Sequence, residues 1–128
     1  MRYLLDTHTF LWMDNNPAQL SPAAALLIQD SANALWLSIA SVWEMQIKVQ
    51  LGKLKLPLPL PTMIERQHQT NRVDLLPIAL PHIVGLSDLP AHHKDPFDRM
   101  IVSQAITEGM RVISGDSQIA RYPVEVVW

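Results

Sequence analysis

Cysteine is absent from this sequence of 128 residues. Its absence excludes thiolate metal sites, thiol catalysis and a disulfide framework, and it fits a reducing cytoplasm. No apolar run is long enough to span a bilayer, and no signal-peptide pattern opens the chain. Internal repeats, low-complexity tails and dense basic patches are also missing, and no lysine follows Lys94. The length suits one domain, residues 1–128, around a single core.

The net charge of −2 gives a polyanionic partner no obvious attraction. Sorting the acids changes that balance. If Asp6, Glu44, Asp95, Asp98 and Asp116 share one site, the remaining seven acids face ten Lys and Arg, leaving the rest of the molecule at +3. A cation in the site would offset the clustered negative charge.

Short apolar runs alternate with helical patterns along the whole chain. Arg2–Leu5 reads as a buried strand ending at Asp6, and the helix after it carries Phe10, Leu11 and Trp12. Ser21-Pro22 caps a second helix whose apolar face is expected at Leu26 and Leu27. Ala34–Leu37 is a second strand ending at Ser38. The following helix, about residues 40–51, is expected to bury Val42, Trp43, Ile47 and Leu51 and to stop at Gly52. Ser41-Val42-Trp43-Glu44 fits a capping box, which gives Glu44 a structural alternative.

The Pro57–Pro61 cluster is expected to be extended and non-helical. A helix over residues 62–70 then leads to a third strand at Val73–Leu76, and residues 80–86 form a short helix. In His93-Lys94-Asp95-Pro96-Phe97-Asp98-Arg99, Asp95 suits an N-cap and Pro96 the first helical position. Asp98 falls one turn on and faces the same way as Asp95. This helix stops at Gly109, a fourth strand runs over Arg111–Ser114 into Gly115-Asp116, and Val124–Val127 is a fifth. The alternation argues an α/β fold, a mainly parallel five-stranded sheet with helices on both faces. In such sheets the active crevice lies outside the carboxyl ends of the strands.

The isolated acids gather at that edge. Asp6 follows the first strand, Glu44 the second, and Asp116 the fourth, while Asp95 and Asp98 open the helix before the fourth. Each has a capping explanation by itself, but capping does not require all of them on one edge. Carboxylates crowded together stay ionised only with a compensating cation. Oxygen-only ligands favour Mg²⁺ or Mn²⁺, and such ions bind phosphate oxygens, activate water and stabilise a leaving oxygen. The residue types thus point to metal-dependent hydrolysis of a phosphodiester.

Four segments carry a resemblance. Leu4-Leu5-Asp6-Thr7, Ser38-Ile39-Ala40-Ser41-Val42-Trp43-Glu44, His92-His93-Lys94-Asp95-Pro96-Phe97-Asp98-Arg99 and Ile113-Ser114-Gly115-Asp116 resemble the acidic motifs of PIN domains, in order and over essentially the whole chain. They are most similar to those of VapC-type toxins of bacterial toxin–antitoxin pairs. The resemblance implies a Mg²⁺- or Mn²⁺-dependent endoribonuclease acting on RNA in the cytoplasm, a cognate antitoxin protein that inhibits it, and a homodimer. By position, Asp6, Glu44, Asp98 and Asp116 match the metal-site acids, Thr7 the hydroxyl residue beside the first acid, and Asp95 is either a further ligand or only the helix cap. Arg99, with Thr7, is a candidate substrate contact.

Three other readings compete. A DNA or structure-specific nuclease needs the same phosphate, metal and water, and the sequence does not separate it from a ribonuclease. A phospho-acceptor switch needs a lysine at the end of a late strand, and none is there. A non-catalytic interaction module would not need five acids at one edge. Its surface would be sought at Trp128 or the Leu54–Pro61 segment, whereas Trp43 is expected in the core. His92 and His93, being adjacent, are poorly spaced to chelate one ion and are expected to be structural or substrate-facing. His8 is expected to pack.

Overall fold

A computed structural model describes residues 1–128. Five parallel strands form one sheet: β1 (Arg2–Leu5), β2 (Ala34–Ser38), β3 (Val73–Leu76), β4 (Arg111–Ile113) and β5 (Val126–Val127), in the order β3-β2-β1-β4-β5. The registers pair Leu5 with Leu37 on one side and with Ile113 on the other, so the ends of the three central strands lie level. The chain builds β1, β2 and β3 outward in one direction, then returns to place β4 on the opposite side of β1. That reversal creates a crevice beyond the carboxyl ends of β1 and β4, where open parallel sheets bind ligands.

Strand alternation divides the core into two layers. Tyr3, Leu5, Leu35, Leu37 and Ile113 face Phe10, Met45 and Met63 on one side. Leu4 and Val112 face Ile101, Val102, Ala105 and Tyr122 on the other. Helices α1 (Thr7–Asn15), α2 (Pro22–Gln29), α3 (Ile39–Gln50) and α4 (Leu60–Asn71) contribute to the first layer, and α6 (Pro96–Glu108) to the second. Helix α5 (Leu80–Val84) packs on α6. Helices on both faces of a parallel sheet are the arrangement the alternating pattern implied.

The caps explain where helices begin. Ser21 Oγ accepts from Ala24 N at 3.0 Å, with Pro22 at the first position of α2. Asp95 Oδ1 accepts from Phe97 N and Asp98 N at 2.9 and 3.2 Å, with Pro96 next. Gly109, at φ +67°, ends α6 in the left-handed region that costs glycine little.

Several local expectations are corrected. Helix α3 is capped by Ser38, whose Oγ accepts from Ala40 N at 3.0 Å, so Ser41-to-Glu44 is not a capping box. The buried face of α3 is Ala40, Ser41, Glu44 and Met45, while Trp43 is 59% exposed and Leu51 also lies outside. Starting the helix earlier rotates its stripe, and Trp43 instead meets Phe97 edge-on at 5.4 Å. Helix α2 buries Ala24 and Ile28, not the exposed Leu26. Leu60 and Pro61 belong to α4, where a proline within the first turn loses no helical hydrogen bond.

Candidate metal centre

Asp6 closes β1 and caps α1 at once. Its Oδ1 accepts from Thr9 N at 2.7 Å, and its Oδ2 accepts from the Ser114 hydroxyl. With only 4% of its surface exposed, this carboxylate is held in place by one donor from the first turn of α1 and one from the residue that follows β4. Ser114 Oγ also accepts from Asp116 N at 3.0 Å, so one hydroxyl ties the first acid to the backbone of the last. Asp116 Oδ1 in turn accepts from Gln118 N at 2.8 Å.

Glu44 enters from the first turns of α3 and is 5% exposed. Its Oε1 accepts from the Thr7 hydroxyl at 2.8 Å, and its Oε2 pairs with Lys48 Nζ at 3.0 Å, one helical turn on. Thr7 Oγ1 also lies 3.0 Å from Ser41 Oγ. Thr7 is therefore buried behind Glu44 and holds it, rather than standing open to a substrate.

Asp95 and Asp98 come from the first turn of α6, which packs against α3. Asp98 reports on the whole group. Its carboxyl is pushed up from 3.8 to about 7, first by burial and then by the negative charges of Asp95, Glu44, Asp116 and Asp6. The acids that the sequence placed on one edge thus act on one another electrostatically. No three His, Asp or Glu side chains form a closed cage of metal-ligand geometry, however. Both oxygens of Asp6 and both of Glu44 accept from protein donors.

This donor set fits a hard cation of the magnesium type. It is all oxygen, strongly negative, and includes an acid raised above its ordinary titration range by burial and then by the charges around it. Mg²⁺ needs only one or two direct carboxylates and keeps several waters, so an open group serves it better than a tight cage.

Arg99 does not reach out from the crevice. Its Nη1 donates to Pro90 O and Tyr122 Oη at 2.9 and 3.2 Å, and its Nη2 to Leu86 O at 3.3 Å, bracing the loop ahead of α6. His92 meets the Tyr122 ring edge-on at 4.9 Å, and His93 bonds the same tyrosine. His8 is exposed rather than packed away, its ring centroid 5.7 Å from that of Trp12. The sequence reading missed Ser114 and Tyr122. Ser114 had one visible sign, a polar residue closing an apolar strand directly before Gly115-Asp116.

Fold and site together define a small parallel α/β protein with a cluster of acids at its topological switch point. A profile of the PIN domain matches residues 3–125. The chain is 30% identical to Ribonuclease VapC22 of Mycobacterium tuberculosis, across 98% of this chain and 97% of that one. It belongs to the PIN domain family. Among solved structures, VapBC2 from Rickettsia felis bound to a promoter DNA fragment shares the fold at a TM-score of 0.73 and 17% identity, covering 99% of this chain and 98% of that chain. DNA-bound VapBC from Salmonella typhimurium does so at 0.71 and 14%, covering 99% and 97%.

Proposed function

We propose that this chain is a Mg²⁺- or Mn²⁺-dependent endoribonuclease that hydrolyses RNA phosphodiesters, and that it is the toxin of a type II toxin–antitoxin pair acting in the cytoplasm. One observation carries the reading: at the switch-point crevice Asp98 is partly buried among Asp95, Glu44, Asp116 and Asp6, and burial followed by their charges raises its carboxyl to about 7. A relative that covers the chain end to end is named a ribonuclease.

A divalent cation held there would supply Lewis-acid activation of water and of the scissile phosphate. Asp6, Glu44, Asp98 and Asp116 would hold it, with Asp95 chiefly capping α6. Ser114 and Lys48 orient Asp6 and Glu44 from behind, as Thr7 does. Water is the attacking group and no side chain forms a covalent intermediate.

The antitoxin reading draws support from the groove between α3 and α4. This cavity of about 530 Å³ is lined by Ile39, Val42, Trp43, Leu60, Ile64 and Leu75. The exposed apolar side chains Leu80, Ile83, Val84 and Ile106, on the neighbouring α5 and α6, support a homodimer. No helix is long and apolar enough to cross a membrane.

The test is cleavage of end-labelled single-stranded RNA and matched DNA by purified protein in EDTA, Mg²⁺ or Mn²⁺, beside Asp6→Asn. Metal-dependent RNA cleavage that disappears in Asp6→Asn is expected. Cleavage of DNA alone would reassign the substrate, and equal activity of the two proteins would refute the site.

A further inference from the structure

Tyr122 sits on the short helical turn after β4, and its hydroxyl oxygen is crowded with donors. Arg99 Nη1 lies 3.2 Å from it and the backbone N of His93 lies 3.4 Å from it. A third nitrogen, His93 Nδ1, lies closest, at 2.8 Å. A hydroxyl has two acceptor lone pairs and one proton. Two N–H groups fill the lone pairs, so the third contact is made by the tyrosine proton, donated to Nδ1. A neutral imidazole that accepts at Nδ1 carries its own hydrogen on Nε2.

That second nitrogen is buried and has no well-aligned hydrogen bond of its own. Its neighbour is Asp98 Oδ2, 3.4 Å away, with both side chains largely enclosed. A buried N–H without an acceptor is costly, and a slight turn of the carboxylate satisfies it.

We infer that His93 is a positioning residue for Asp98: Tyr122 fixes the imidazole tautomer, and the resulting Nε2–H holds Oδ2 so that Oδ1 is the oxygen presented to a cation. Arg99 contributes by filling one lone pair of Tyr122, which gives this arginine a part in the site without touching substrate. The inference rests on the reading of Asp98 as a metal-site acid. It parallels the way outer hydrogen-bond partners orient metal ligands in general.

The experiment uses the whole chain, ¹⁵N-labelled, with Mn²⁺ alone as probe. Long-range ¹⁵N–¹H correlation of the histidine rings in metal-free protein is expected to show His93 protonated at Nε2, with that preference lost in Tyr122→Phe. A wild-type ring protonated at Nδ1 would overturn the inference whatever the protein's activity. Calorimetric Mn²⁺ affinity is expected to fall about 10- to 100-fold in His93→Leu, the usual range for loss of an outer partner. His93→Gln, which keeps an N–H near the position of Nε2, should recover most of the lost affinity.

Asp98→Asn separates the two ways to fail. If it loses Mn²⁺ affinity while His93→Leu and Tyr122→Phe do not, the positioning role is refuted and the metal site stands. If Asp98→Asn binds as wild type does, the metal-site reading fails and takes the role with it. Should His93→Leu not fold, as judged by circular dichroism, Tyr122→Phe carries the decision. An unchanged tautomer together with unchanged affinity in that variant overturns the inference.

Discussion

Ser114 Oγ donates to Asp6 Oδ2 across the gap between β4 and β1, linking residues 108 positions apart in sequence. The bond lies at the reversal of strand order, so the crevice and its first acid are set by one contact. Ser114→Ala leaves Asp6 Oδ2 buried without that donor and frees the N–H of Asp116. Loss of a hydrogen bond to a charged group costs about 1.5–3 kcal/mol. Urea denaturation of metal-free protein is expected to show a loss in that range, and a change below about 0.5 kcal/mol, typical of a neutral surface substitution, would contradict it.

Asp98 makes folding sensitive to pH. Its folded value of about 7 lies above its ordinary 3.8, so the folded state binds the proton more tightly. Its contribution to stability is fully present below the unfolded value and is lost as pH rises through about 7. Wild type in EDTA should therefore lose melting temperature relative to Asp98→Asn as pH climbs from about 4 to 7, after which the difference should level off. A difference independent of pH would show that neither burial nor the neighbouring acids raise Asp98. Saturating Mn²⁺ is expected to close the gap, since it stabilises only the form that binds it.

Gly115 owes its lack of a side chain to Trp128. A Cβ there would stand 2.8 Å from Cε2 of the indole and 3.0 Å from Nε1, too close for an unstrained contact. Trp128 in turn leans on Trp12 at 5.8 Å between ring centroids. Gly115→Ala must displace a rigid ring or shift the turn that aims Asp116. A cost of about 1–3 kcal/mol is expected, as for overpacking elsewhere. Near-ultraviolet circular dichroism should register the moved tryptophan, and an unchanged spectrum with full stability would contradict the packing.

The strands and the acid-bearing edge were legible because their signals are local. Arg2–Leu5 ends in Asp6, Asp95-Pro96 opens a helix, and Gly109 closes it, and each statement needs only a few consecutive residues. Errors arose where a frame had to be chosen. Both Ser38 and Ser41 can cap α3, and only tertiary packing selects Ser38, turning Trp43 outward and Met45 inward. The supports of the acids were hidden for another reason. Ser114 reaches Asp6, Thr7 reaches Glu44 and Tyr122 reaches His93 across 108, 37 and 29 positions. No spacing rule joins residues that meet only once the elements between them have packed together.

Direct Mn²⁺ binding tests, without reference to any substrate, whether the acids at the switch point form a divalent-cation site. Isothermal titration of metal-free wild type at about pH 7.5, above the Asp98 transition, should show saturable binding of one or two ions per chain. Asp6→Asn, which is expected to keep the fold because an amide still caps α1, should lose that binding. Absence of binding by wild type, or equal binding by both proteins, would contradict the account.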